Sequence, residues 1–158
     1  MMSRRTWINL LLFALLCLLA ALGWWLQPTP LPPLTDLDPD EINNIRISDN
    51  SGRAIRLHKS DGIWRIGQTP ADSSRIRQLL EISRTPSFDR FPAPEHQLEA
   101  FGLQPSAIRL QLDDLELAFG NNDPINNLRY VQINNLIHRI GDGFQHHLTA
   151  PETAWQKK

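Results

Sequence analysis

Apolar and polar positions fall into two regimes along this chain. Residues 7–26 read WINLLLFALLCLLAALGWWL, without a charge and with Asn9 as the one clearly polar side chain. From residue 42 onward the apolar residues come instead in short alternating runs, the period of half-buried strands. The first regime predicts a helix of roughly 30 Å, the thickness of a bilayer's hydrocarbon core. Trp7 stands at one end and Trp24 and Trp25 at the other, where aromatic rings favour the membrane interface.

The alternating runs predict a strand at 42–48, with Ile45 and Ile47 on one face and Arg46 on the other. A second is predicted at 53–59, with Ile55 and Leu57 inward and Arg56 and His58 outward, and a third at 63–66. Turn clusters at 49–52 and 60–62 join them into a meander with Trp64 as its large core residue. Thr69 as cap, Pro70 at the first position and Asp72 at the third predict a helix start. Ile76, Leu79 and Leu80 then form one narrow apolar stripe, which is core rather than a cofactor box, and Thr85-Pro86 ends it.

A short strand or extended link is expected at 88–91 and a short helix at 95–101, capped by Gly102. Strands at 108–112 and 115–119 flank the two-residue connection Asp113-Asp114; strands at 128–133 and 136–140 flank Asn134-Asn135. Between these hairpins lies a polar loop, 120–127, and a last helix is expected at 143–148. Ile45-Arg46-Ile47 is similar to Ile108-Arg109-Leu110, and Ile63-Trp64-Arg65-Ile66 to Ile137-His138-Arg139-Ile140, which suggests two similar halves.

Charge orients the apolar run. Arg4 and Arg5 precede it and no Lys or Arg follows until Arg46, which predicts a cytoplasmic N-terminus and an exported remainder. The rival is a cleaved signal: Ala21-Leu22-Gly23 offers small residues for a cut before Trp24. The length of the run and the Trp pair favour an uncleaved anchor. Cys17 follows Leu16 rather than the small residue that lipidation requires, and reads as an apolar helix residue. The expected organisation is a cytoplasmic tail at 1–6, a transmembrane anchor at 7–26, a Pro-rich linker at 27–39, one periplasmic α+β domain at 40–150 and a polar tail at 151–158.

Setting aside Arg4 and Arg5 leaves 14 basic against 17 acidic residues, a net of −3. That balance argues against nucleic acid or anionic headgroups as partners. The exported part holds no cysteine, so disulfides, thiolate metal sites and cysteine nucleophiles are excluded there. Proline at 28, 30, 32 and 33 predicts an extended spacer. The Asp run at 36–40 fails as a calcium loop, because Glu41 stands where Gly is needed and Ile47 where the bidentate Glu is needed. Asp38 and Pro39 predict a single capped turn instead.

Candidate chemistry is thin. His146 and His147 point about a hundred degrees apart on a regular helix, and His138 completes no ligand set with them. Ser73-Ser74 and Ser51 lack a nucleophile motif, and Asp89 and Asp113-Asp114 read as edge and turn residues. The stretch from Gly120 lacks phosphate-loop spacing. No catalytic, cofactor-binding or metal-binding residue is assigned. The expected contact surfaces are the loop at 121–127, the link at 88–91 and the tail around Trp155.

The succession SDGIWRI, TPADSSRIRQLLEIS, AFGLQP, LELAFG and RYVQI resembles the bacterial family catalogued as domain of unknown function 4340. The resemblance covers residues 40–148, and its best pieces are Trp64, the helix from Pro70, Phe101-Gly102-Leu103 with Pro105, Gly120 and Arg129-Tyr130-Val131. It implies a membrane-anchored envelope protein, in some members beside ABC-transporter components of the gliding-motility type, and it implies no catalytic residues. The expectation is therefore a single-pass protein of the bacterial inner membrane that meets the lipid bilayer through residues 7–26. Its periplasmic domain would be non-enzymatic and act through contacts with an envelope protein. The alternative is a periplasmic carbohydrate- or lipid-binding domain and, behind it, a hydrolase.

Overall fold

The computed structural model describes residues 4–27, 29–94 and 96–157. Residues 1–3 of the expected tail, Pro28 of the linker, Glu95 at the head of the expected helix 95–101 and Lys158 lie outside the described residues. The chain separates into two units, the second beginning at Leu31.

The first unit is one helix, α1 (Arg4–Trp25), of 22 residues with no buried side chain. At 1.5 Å per residue it is about 33 Å long. An 18-residue window of it has a mean hydropathy of 2.2, so it is long and apolar enough to cross a membrane. It starts ahead of residue 7, since Arg4, Arg5 and Thr6 contain no helix breaker.

The second unit runs through β1 (Asn44–Asp49), β2 (Ala54–Ser60), β3 (Ile63–Ile66), β4 (Thr69–Pro70) and α2 (Ser73–Leu80). It continues through β5 (Asp89–Pro92), β6 (Ile108–Leu112), β7 (Leu115–Asn122), β8 (Leu128–Ile133), β9 (Leu136–Gly141) and α3 (Gln145–Leu148). Asp61, Asp113 and Asn134 take positive φ at the tight turns, at 50°, 48° and 51°, a conformation their short polar side chains tolerate. With few short helices beside an antiparallel sheet, the arrangement is α+β.

The nine strands form one sheet in the order β4-β3-β2-β1-β6-β7-β8-β9-β5. The non-local joint is at its middle, where β1 pairs antiparallel with β6 and Ile45 and Ile47 face Leu112 and Leu110. The strands on either side run outward in matching succession, β2 with β7 and β3 with β8. Residues 137–140 lie in β9, so it is β8, not the stretch likened to Ile63–Ile66, that takes the place matching β3.

Alternation gives the sheet one largely apolar face, with His138 opposite Val131 as a buried polar residue on it. Ile45, Ile47, Ile55, Leu57, Trp64, Leu110, Leu117, Phe119 and Val131 pack there beneath Ile76, Leu79 and Leu80 of α2. A second, smaller core of Ala93, Leu103 and Ile137, with Phe91, Phe101, Ala118 and Tyr130 against it, covers the other face only at the β7–β8–β9–β5 end. The remaining half of that second face, across β3, β2, β1 and β6, has no layer of the second unit over it among the described residues.

Several expected boundaries move. The cap of α2 is Asp72, whose carboxylate accepts from the N–H groups of Ser74 and Arg75. Thr69 and Pro70 pair with β3 instead. Residues 96–101 are turns rather than a helix, although Gly102 does take a left-handed φ of 69°. The expected helix at 143–148 shortens to the four residues of α3.

The linker and tail are also corrected. Leu34 is 4% exposed and belongs to the core; its N–H donates to Thr85 O and that of Ser87 to Pro32 O. The second unit therefore starts within the expected linker of 27–39, because an apolar Leu gains about 2 kcal/mol by leaving water. The expected polar tail of 151–158 contains a 3-10 turn, Glu152–Trp155, whose Trp155 is fully buried. Trp155 is accordingly not a surface contact residue.

Candidate functional site

The open half of the second face is built by strand register. Arg46 of β1 stands directly opposite Arg56 of β2 and opposite Gln111 of β6. His58 faces Arg65 of β3 on one side and Asn44 on the other, while Ser48 faces Arg109. Arg65, Arg56, Arg46 and Arg109 thus cross four neighbouring strands on one face, with His58 among them. Arg46, Arg56, His58 and Arg109 are exposed and Arg65 is half-buried.

Other arginines of this chain show what a structural arginine looks like. Arg129 forks onto Asp142 at 2.6 and 2.8 Å and donates to Gly120 O at 2.8 Å. Arg139 bridges Asp123 at 3.0 Å and Asp89 at 2.9 Å. Arg53 reaches Asp49 at 2.8 Å and the carbonyls of Ala150 and Leu148 at 2.6 and 2.7 Å. On the open face only Arg109 has partners, Ser106 Oγ at 3.0 Å and Glu116 at 3.5 Å. The Arg46, Arg56 and Arg65 side chains make no ion pair or hydrogen bond among the described residues.

Like charges directly opposite on a sheet oppose pairing, and among the described residues no carboxylate forms an ion pair with Arg46 or Arg56. Two carboxylates come near: Glu116 lines the face beside Arg46 and is drawn to Arg109, and Asp113 accepts from the backbone N–H groups of Asn43 and Asn44 and from Asn44 Nδ2, closing its hairpin against β1. Two shallow depressions of about 270 and 260 Å³ adjoin at Arg46 and Gln111. Chemically the face offers guanidinium forks, amides and an imidazole, which suit carboxylates and other anions. Its hydroxyls, Ser48 and Ser60, stand on the same face.

Larger hollows exist, but most of their cations are engaged. In one of about 410 Å³ beside Trp64, Lys59 Nζ donates to Asp40 O at 3.2 Å and Arg84 to Asp38 at 3.1 Å, leaving Arg77. No cleft separates the two halves, since β1 and β6 are hydrogen-bonded neighbours.

The residues weighed from the sequence are dispersed. His146 and His147 stack with ring centroids 3.9 Å apart, closer than their helical spacing suggests. His147 is buried, and burial, then the charges of His146 and Arg75, push it down to about 4. His138 meets Ser87 instead, its Nδ1 3.0 Å from the hydroxyl. That Ser–His contact was not visible in the sequence, because residues 51 apart meet only when the chain packs over β9. Both are buried and no described carboxylate orients the ring, so it is a packing contact; burial, then Arg90, lowers the His138 pKa. Among the described residues no group is placed to hold a metal.

Ser73 and Ser74 open α2, and Ser51 donates to Asp49 within its turn. Asp89 is tied to Arg139. The loop at 121–127 is part strand, with β7 running to Asn122, and its tip exposes Ile125. Phe88 is exposed just ahead of β5. Alternation did put Arg46, Arg56 and His58 outward; that they lie beside Arg109 depended on the β1–β6 pairing. Comparisons with protein-family models, with curated proteins and with solved structures find no match to this chain.

Proposed function

We propose that this chain is a non-catalytic, membrane-anchored module that acts through protein contacts. In this reading α1 spans the bacterial inner membrane uncleaved, its N-terminus in the cytoplasm, and holds the sheet unit in the periplasm as part of an envelope complex. The family resemblance adds ABC-transporter components as one class of partner. The observation that carries the reading is the open sheet face: Arg46, Arg56 and Arg65 stand there without an ion pair, with no layer of the second unit over them among the described residues. Arginine is enriched at protein interfaces and at their energetic centres.

The test is crosslinking of the full-length protein in its native membrane, followed by affinity recovery and mass spectrometry. Envelope proteins recovered with the intact chain and lost when residues 31–158 are removed support the module. Recovery of nothing above background overturns it. A mature N-terminus at Trp24 overturns the anchor separately.

A further inference from the structure

We infer that the face formed by Arg65, Arg56, Arg46 and Arg109 docks an acidic, carboxylate-rich segment of a partner protein. This deepens the module reading above and rests on it.

The register fixes the shape of the target. Arg56 and Arg46 are directly opposed, while Arg65 lies diagonally from Arg56 and Arg109 diagonally from Arg46. The four therefore make an oblique line across four strands. With strands about 4.8 Å apart and about 6.7 Å between alternate residues, the line is roughly 20 Å long. An extended chain of about six residues covers that length. Beyond Arg65 on the same face lies Ile63, 48% exposed, a place for one apolar side chain of the partner. At the other end Ala118 faces Arg109 and the covered half of the sheet begins.

The chemistry separates a protein from a phosphate surface. Bilayers and polynucleotides draw in a protein through an excess of positive charge over the whole domain. Here 14 basic residues stand against 17 acidic ones, so only the local match on this face is favourable. Short-range pairing of a guanidinium fork with a carboxylate needs no such excess. Glu116 answers Arg109, but Arg46 stands opposite Arg56 and neither they nor Arg65 has an ion pair among the described residues, which leaves this part of the face in want of external negative charge.

The experiment uses the full chain in its native membrane, with a photoreactive residue at exposed Ala54 on this face or, as control, at exposed Gln78 on α2. The expected result is a protein adduct from Ala54 whose crosslinked peptide is rich in Asp and Glu. The adduct falls about tenfold in the Arg46→Gln, Arg56→Gln double variant, as expected for loss of charge-assisted pairs. A hexaglutamate peptide competes for it and a hexaglutamine peptide does not. Adducts to phospholipid, to a peptide without acidic residues, or of unchanged yield in the double variant overturn the inference. Adducts from Gln78 but none from Ala54 overturn it while leaving the module reading standing. Adducts from neither position overturn both.

Discussion

The guanidinium of Arg75 lies 5.1 Å from the centroid of the Trp155 ring. Around that contact the end of the chain is clamped to the start of α2. Trp155 O accepts from Asp72 N–H, Pro70 O from Lys157 N–H, and Ala71 bridges to Gln156. Removing residues 152–158, or Trp155→Ala, therefore costs about 3 to 5 kcal/mol in packing and cavity, with roughly 1 kcal/mol more from the lost cation–π contact. Thermal unfolding of the truncated protein reads this directly, and an unchanged midpoint would show the turn to be dispensable.

Stability is expected to fall as pH drops from 6.5 to 4. His147 is 5% exposed, its Nδ1 has no hydrogen-bond partner, and its pKa is pushed from 6.5 down to about 4. In that window the unfolded chain takes up a proton that the folded chain refuses, so acid favours unfolding, by at most about 3 kcal/mol. The stabilisation is present in full above pH 6.5. His138 is shifted in the same direction. Asp49, Asp123 and Asp142 are lowered below 3.8, so what they contribute is lost only below that value. Denaturant midpoints at pH 7 and 4.5 measure the difference, and His147→Leu should flatten it.

Arg53 ties the β1–β2 turn to the last residue of α3 and the segment after it through two carbonyls, those of Leu148 and Ala150. A lysine keeps the charge but cannot span both acceptors and Asp49 at once. Arg53→Lys is expected to lose about 1 to 3 kcal/mol, since a part-buried carbonyl is left without its donor. Equal denaturant midpoints for the two proteins would remove Arg53 from the structural set.

The opposite sign is expected on the open face. Arg46 and Arg56 face each other and neither has an ion pair among the described residues, so Arg46→Gln should stabilise the sheet by roughly 0.5 kcal/mol. The gain should be larger at low salt, where the repulsion is less screened. Most substitutions destabilise; one that stabilises while weakening partner capture would mark a residue kept for binding. A loss of stability in the variant would mean that Arg46 has a packing role.

Strand positions were legible because the rules that set them are local. Alternation placed Ile45, Ile47, Ile55 and Leu57 inward, and Asp113 and Asn134 marked hairpins by tolerating positive φ. What required long-range pairing was not legible. Leu34 sits among four prolines and reads as linker, yet its burial depends on a segment about fifty residues on, where Thr85 O receives its N–H. Trp155 stands in a polar tail, and nothing near it in sequence signals that α2 offers it a seat. The site was legible by halves: Arg46 and Arg56 were outward by alternation, but their common line with Arg65 and Arg109 follows from β1 pairing with β6 rather than with a strand closer in sequence.

Gly120 is where the second core is most sensitive. A Cβ added there would run into the backbone carbonyl of Phe101 and press on Leu103, and a backbone atom cannot rotate aside as a side-chain tip can. Phe101 meets Tyr130 edge-on at 4.9 Å and Phe91 at 5.7 Å, so displacing it disturbs the whole cluster. Gly120→Ala is therefore expected to cost about 2 to 3 kcal/mol, the range of an overpacked interior. Gly141→Ala is the control: it lies in β9 with nothing within 4 Å of an added Cβ, and its effect should stay within about 0.5 kcal/mol. Tyr130 is the only tyrosine in the chain, so its ring resonances report the second core alone. They should shift in Gly120→Ala and hold in Gly141→Ala. If both variants leave Tyr130 and the unfolding midpoint unchanged, Phe101 does not pin that face of the sheet.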